Sequence, residues 1–229
     1  MAKNNKEKTK HAPFGWLRLF LELIVVFVGI TGGFLFDSYR EDRSDRELEK
    51  KYLESLHQNL VSDSTELHAT LENNRNNVEI SQGVVSAMQS GILHPDSALR
   101  VIQVMATYYN LNLNDATYQS IVSSGNLGLI RNFELKEQIV DYYQSQEDML
   151  YVEVVYNNYI NNYVIPYVFK YMDFISGETD LGFNTNDREF RNITSGYYVL
   201  ASQQIELMES LDSLCINLKD RVATAIEDL

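Results

Sequence analysis

The stretch from Trp16 to Phe36 restricts the fold of this chain more than any other part of it. Its 21 residues are apolar apart from Arg18 and Glu22, which lie near its beginning. An α-helix rises about 1.5 Å per residue, so a run of this length crosses a hydrocarbon core of about 30 Å. We therefore predict one transmembrane helix at residues 16–36, after a short basic tail at residues 1–15.

Two other interpretations of this segment remain open: a cleaved signal peptide and a buried helix of a soluble protein. Lysines precede the segment, as they do in signal peptides. However, the apolar stretch is longer than a usual signal core, and no Ala-x-Ala cleavage site follows it. The chain continues directly into a charged helical pattern, so we expect an uncleaved anchor.

Positive residues on both sides of the segment bear on its orientation. The N-terminal side carries Lys3, Lys6, Lys8, Lys10 and Arg18, which favour a cytoplasmic N-terminus because positive flanks resist translocation. The other side carries five Lys and Arg residues between positions 40 and 51, which weakens this preference because the rule counts positive residues rather than net charge. Because the distal part of the chain is strongly acidic, we expect the N-terminus inside and the soluble domain outside.

The rest of the chain has the composition of an acidic, all-α domain. Residues 1–36 carry a net charge of +3 and the whole chain −13, so residues 37–229 carry −16. A nucleic-acid partner is excluded, because phosphate neutralisation needs the opposite sign. Cys215 is the only cysteine, so no internal disulfide forms, and its apolar helical neighbours predict a buried thiol.

Apolar spacing predicts the helices of this domain, residues 37–229, and a charged stalk at residues 37–52. The first helix should end at Ser90-Gly91, and it either continues through residues 73–77 or breaks there, where helix propensity is low. Further helices are predicted over residues 96–109, 115–124, 133–164 and 187–229, the last as one helix or two. Gly125 or Gly128 should take positive φ at a helix end. We expect a helical bundle.

Two pairs stand out inside the apolar segment. Gly29 and Gly33 lie on one helix face, where small residues let two helix backbones approach closely, so they predict helix packing in the membrane. Arg18 and Glu22 lie one turn apart and predict an ion pair at the membrane interface. A channel or proton-relay role for Glu22 is the alternative.

The tyrosines of the C-terminal half form the clearest unusual pattern. Five of them recur at intervals of three and four residues: Tyr156, Tyr159, Tyr163, Tyr167 and Tyr171. If the helix persists past Pro166, this spacing predicts a continuous stripe. The stripe is either part of a water-edged core or a candidate partner face, since protein interfaces are enriched in tyrosine. A carbohydrate-binding platform is a third interpretation.

Motifs that carry chemistry are missing from the sequence. It contains no Gly-x-Ser-x-Gly, no phosphate-binding glycine-rich loop and no His-Glu-x-x-His. Glu54 and His57 form one Glu-x-x-His, whereas helical di-iron sites need two such pairs with further glutamates. We predict no catalytic centre, no cofactor and no metal site.

Several segments together resemble a Gram-negative bacterial family of membrane-anchored proteins of unknown function. The resemblance rests on Asp37-Ser38-Tyr39-Arg40-Glu41-Asp42-Arg43, Tyr52-Leu53-Glu54-Ser55-Leu56, Thr117-Tyr118-Gln119-Ser120, Ser124-Gly125-Asn126-Leu127, Leu129-Ile130, Leu135-Lys136 and Tyr142-Tyr143. Family members typically have Asn or Trp just past the anchor, where this chain has Phe36-Asp37-Ser38. The resemblance implies one N-terminal transmembrane helix, an all-helical domain and an inner-membrane setting. It implies no activity.

These patterns favour a membrane-anchored interaction or scaffolding protein, or an accessory subunit of an envelope complex. Its expected partners are the lipid bilayer, other membrane or envelope proteins, and a second copy of the chain. One alternative is an envelope sensor or regulatory subunit with a ligand pocket between its helices. The other is an enzyme, which would need a buried, converging cluster of acids or histidines in a pocket.

Overall fold

The structure, a computed structural model, describes residues 14–107, 109–176, 178 and 183–229. Six α-helices lie in these ranges: α1 Phe14–Ser90, α2 Pro95–Met105, α3 Ala116–Ser123, α4 Phe133–Tyr159, α5 Ile165–Tyr171 and α6 Arg188–Glu227. A 3-10 turn spans Asn126–Leu129, and a π turn spans Ile160–Val164. The described residues contain no β-strand, so the predicted all-α fold is confirmed.

The chain divides into two compact units, Met1–Leu48 and Glu49–Leu229. In the first unit, residues 1–13 of the predicted basic tail lie outside the described residues. The helical part from Trp16 to Phe36 is exposed throughout. It contains the only window within the described ranges that is long and apolar enough to cross a membrane, and none of that window is buried.

Charged pairs one turn apart follow the apolar segment. Arg43 Nε lies 3.3 Å from Glu47, and Arg46 Nε lies 3.1 Å from Asp42. Exposed pairs of this kind contribute roughly 0.3–0.5 kcal/mol each to helix stability. The first compact unit ends at Leu48, four residues before the end that we predicted for the stalk.

The second unit is a helical bundle with two hydrophobic clusters. The larger cluster joins α1, α3, the first half of α4 and the second half of α6 around Leu56, Tyr142 and Met208. The smaller joins the end of α1 with α2, the π turn, α5 and the start of α6 around Phe190 and Tyr197. Half-buried Val78 packs against both clusters.

Helix α1 does not break at the asparagines, contrary to one of the two expectations. Asn74 and Asn77 are buried, and the Asn77 side chain donates to the Thr107 carbonyl at 3.4 Å. The exposed Asn73 amide donates to the Ala69 carbonyl one turn earlier, at 2.9 Å. Tertiary contacts therefore override the low helix propensity of these residues. The helix does end at Ser90, as predicted, and Gly91 after it takes φ +72°.

The remaining boundaries shift by a few residues. The second helix ends at Met105 rather than Tyr109, and C-terminal residues 188–227 form one helix. Gly125 takes φ +72° after α3, which confirms the predicted helix end. The amide of Leu135 donates to the Asn132 side chain at 3.0 Å and so caps α4.

Candidate functional site

Three buried carboxylates each accept a main-chain hydrogen bond from a connector. Asp63 Oδ1 accepts from Asn114 N at 2.9 Å, and Glu153 Oε1 accepts from Leu111 N at 2.9 Å. Glu49 Oε1 accepts from Arg131 N at 2.8 Å. Since connector amides have no helical partner, these bonds satisfy buried polar groups and fix the connectors to α1 and α4.

Asp63 also lies beside the buried Tyr142 and Cys215. The Tyr142 hydroxyl donates to Asp63 Oδ2 at 3.0 Å. Burial raises the pKa of Asp63, and the bonds from Asn114 and Tyr142 partly oppose that shift. Cys215 is fully buried, which confirms the predicted core thiol, and its Sγ donates to the Leu60 carbonyl at 3.4 Å. Burial raises the pKa of the Cys215 thiol to about 11.

The predicted tyrosine stripe is not one continuous face. Tyr156 and Tyr167 are only 5% and 2% exposed and belong to the smaller cluster. Tyr159 and Tyr171 are half-buried, and Tyr163 alone of the five is open, at 58% exposed. Tyr156 and Tyr167 are therefore core residues and cannot form a partner face in this fold.

The π turn accounts for this difference. Within it the Ile165 amide donates to the Ile160 carbonyl, five residues earlier, instead of four. Side chains three and four residues apart then no longer stay on one face. Pro166 follows immediately and lacks an N–H, so a regular α-helix would lose a hydrogen bond at this point.

A groove of about 520 Å³ opens where the π turn and α5 meet the start of α6. One wall consists of Tyr159, Asn162, Tyr163, Pro166, Tyr167 and Lys170. The other consists of Glu189, Asn192, Ile193 and Gly196. The volume lies within the usual range of small-molecule sites, about 300–1,000 Å³.

Gly196 leaves room for the Tyr159 ring in the first wall of the groove. The Tyr159 hydroxyl donates to the Ile193 carbonyl at 2.9 Å, which brings its ring against α6. A Cβ at position 196 would lie 2.9 Å from Tyr159 Cζ and closer still to the hydroxyl oxygen. Only glycine therefore lets the ring occupy this position without displacement.

The charged groups of the groove are paired with each other. Lys170 Nζ lies 3.3 Å from Glu189 Oε2 and 4.7 Å from the centre of the Tyr171 ring. Hydrogen bonds to Tyr171 and Glu189 raise the pKa of Lys170, so its ammonium stays charged and balances the carboxylate. The groove thus combines aromatic rings, amides and an internally neutral ion pair.

A second surface lies earlier on α4. Leu150, Tyr151, Val154 and Val155 are all exposed within two consecutive turns, with Tyr151 at 72% and Val154 at 57%. Positions three and four apart are neighbours on a helix, so these side chains form one apolar face. We call it the α4 face. Large contiguous apolar patches on a protein surface are common at interaction sites.

In the apolar segment of α1, Arg18 Nε lies 3.2 Å from Glu22 Oε1. An added Cβ at Gly29 or Gly33 would meet no atom within 4 Å among the described residues, so both glycines face open space. These two pairs belong to the first unit, whereas the groove and the α4 face belong to the second.

Several residues of these sites could not be found from sequence. Lys170, Glu189 and Gly196 come together only because α6 folds back on the π turn, and Glu189 carries no motif. The α4 face lies in the nearly continuous apolar run Met149–Val155, which has no helical periodicity to reveal an exposed side. Within the described ranges, no group of three or more His, Cys, Asp or Glu residues is placed to hold a metal. Glu54 and His57 therefore belong to no such group.

Comparison of the chain with protein-family models, with curated proteins and with solved structures gives no match.

Proposed function

We propose that this protein is a membrane-anchored interaction protein, acting as a scaffold or accessory subunit of an envelope complex without catalysis. Residues 16–36 would anchor it in the inner membrane of a Gram-negative cell, with the N-terminus in the cytoplasm and residues 37–229 in the periplasm. The exposure of every described side chain from Trp16 to Phe36 supports the anchor, because lipid is the solvent that such a surface needs.

The α4 face is the observation that carries the interaction role. Tyr151 and Val154 belong to the soluble unit, so lipid does not explain their exposure. Burying such side chains against a partner contributes roughly 25 cal/mol for each Å² of apolar surface removed from water. Tyrosine at the centre of such a face is typical of interface hot spots.

The partner is another envelope protein or a second copy of the chain. Gly29 and Gly33 would allow the anchors of the two proteins to approach closely. The acidic character of residues 37–229 favours a partner whose contact surface carries positive charge around an apolar centre, because complementary charge steers encounter.

The groove beside the π turn favours a second candidate function, an envelope sensor or regulatory subunit. Its concave shape and its mixture of rings and amides suit a small ligand. Such a subunit would report ligand binding to a partner protein in the membrane.

The membrane part of the proposal is tested by topology. The protein should stay with membranes after an alkaline carbonate wash, and its mature N-terminus should retain the lysines. Protease added to spheroplasts should digest the domain. A shortened protein released in soluble form would contradict the anchor, and protection of the domain until lysis would reverse the orientation.

The interaction part is tested by assembly in mild detergent. The double variant Tyr151→Ser with Val154→Ser should reduce the particle mass or remove the co-purifying protein, while the control Val122→Ser, at an exposed position of α3, should not. Gly29→Ile with Gly33→Ile should also weaken assembly, without unfolding the domain. A monomeric parent without a co-purifying protein would contradict the interaction role.

A further inference from the structure

The groove has a fixed aromatic platform. Tyr159 is held against α6 by its bond to the Ile193 carbonyl and by the space above Gly196. The Tyr163 ring centre lies 5.3 Å from that of Tyr159, and more than half of Tyr163 is open to solvent. A ligand therefore meets one ring held in place and one largely exposed ring, in a groove that is already open.

The polar groups of the groove surround this platform. Asn162 and Asn192 are exposed, and each amide offers donors and an acceptor at once. Lys170 and Glu189 form an ion pair at 3.3 Å and add further donors and acceptors. The lining thus presents hydrogen-bonding groups of both kinds beside apolar rings.

The charge of the lining restricts the ligand. Lys170 and Glu189 carry opposite charges, and the groove walls contain no other Lys, Arg, His, Asp or Glu. Residues 37–229 carry −16, so the surroundings repel an anion, and the groove has no unpaired cation to hold one. A cation would find only a carboxylate that Lys170 already occupies. The ligand that fits is uncharged.

We propose that this groove binds an uncharged saccharide. A pyranose ring has an apolar C–H face, which would stack on the exposed Tyr163 ring, and a rim of hydroxyls. The hydroxyls both donate and accept, so they match Asn162, Asn192 and the ion pair. The 520 Å³ volume suits a short oligosaccharide segment rather than the flat, roughly 800 Å² surface that a protein partner covers on each side.

The π turn explains why an exposed tyrosine is available at this site. It turns Tyr163 outward while Tyr156 and Tyr167 stay in the core. Single π turns inside α-helices occur frequently at functional sites. The saccharide site is independent of the protein contact proposed for the α4 face, since Tyr151 does not line the groove.

Saccharide binding is tested on the full-length protein in lipid nanodiscs, because a maltoside detergent would itself be a neutral saccharide. The uncharged saccharides cellotetraose, maltotetraose and tetra-N-acetylchitotetraose are titrated by calorimetry and by saturation-transfer NMR. At least one should bind saturably with Kd below about 1 mM. Tyr163→Ala should weaken that binding at least about tenfold, whereas Tyr163→Phe should keep it, because stacking uses the ring face.

Two controls make the result decisive. Tyr151→Ala removes an exposed tyrosine of α4 outside the groove and should leave saccharide binding unchanged. A urea midpoint equal to that of the parent should show that Tyr163→Ala still folds. Absence of binding by all three saccharides, or equal binding by Tyr163→Ala and the parent, would overturn the proposal. So would binding of the uncharged peptide acetyl-Ala-Pro-Ala-Leu-amide without binding of any saccharide.

Discussion

The Tyr142 hydroxyl donates a hydrogen bond to the Asp63 carboxylate at 3.0 Å across the centre of the bundle. The other carboxylate oxygen accepts from Asn114 N, so Asp63 links α1, α4 and the connector that precedes α3. Both donors are satisfied only while position 63 carries an acceptor. The stability of the domain should therefore depend on this side chain more than on the exposed ion pairs.

Asp63→Ala should lower the free energy of unfolding by about 2–4 kcal/mol, because it leaves the Asn114 amide and the Tyr142 hydroxyl unpaired. Asp63→Asn should stay within about 1 kcal/mol of the parent, since its carbonyl and amide can meet the same two groups. Urea unfolding at neutral pH measures both. Equal losses in the two variants would contradict this role of the carboxylate.

Comparison of the parent protein with Asp63→Asn also tests the raised pKa of Asp63. Its folded-state pKa lies above the unfolded value of 3.8, so the folded state binds the proton more tightly. The contribution of Asp63 to stability therefore improves as pH falls through the folded-state pKa towards 3.8. The stability advantage of the parent relative to Asp63→Asn should rise over that window. A difference that is flat or falls on acidification would contradict the direction of the shift.

Gly196 and Gly83 provide a matched comparison, since both lie inside helices. At Gly196 a Cβ would meet the Tyr159 ring, and we expect Gly196→Ala to destabilise the domain by about 1–3 kcal/mol. At Gly83 a Cβ meets nothing within 4 Å among the described residues, so Gly83→Ala should stabilise by roughly 0.5–1 kcal/mol. Thermal and urea unfolding give both values. Stabilisation by Gly196→Ala would mean that Tyr159 does not lie against α6.

Cys215 should be chemically inert in the folded protein. Burial excludes reagents, and a pKa of about 11 leaves almost no thiolate at neutral pH. A maleimide should label the thiol only after urea unfolding, with the same midpoint as the loss of helical circular dichroism. Rapid labelling under native conditions would place the thiol at the surface.

The sequence reveals the helices more clearly than the sites. The apolar helix Trp16–Phe36 can be read from the length and hydropathy of one continuous segment. The end of α1 can be read from the adjacent residues Ser90 and Gly91. The buried state of Cys215 follows from helical spacing in the same way. Each of these features depends on neighbours in the chain.

The groove and the α4 face depend on contacts distant in sequence. The tyrosine spacing predicts one face, but the π turn after Tyr159 changes which rings point outward, and Pro166 is its only local sign. The groove needs Glu189 and Gly196 from a helix that begins 17 residues after α5 ends. Which residues of α4 are buried depends on α6, which contacts Tyr156 through Tyr197 and leaves Tyr151 exposed.

The most direct test of the interaction role is site-specific photo-crosslinking in living cells. The photoreactive amino acid benzoylphenylalanine replaces Tyr151 in the α4 face, and in a control protein it replaces the exposed Val122 on α3. Irradiation should join position 151, and not position 122, to one discrete protein or to a second copy of the chain, identified by mass spectrometry. No protein adduct at position 151, or the same adducts at both positions, would contradict the account.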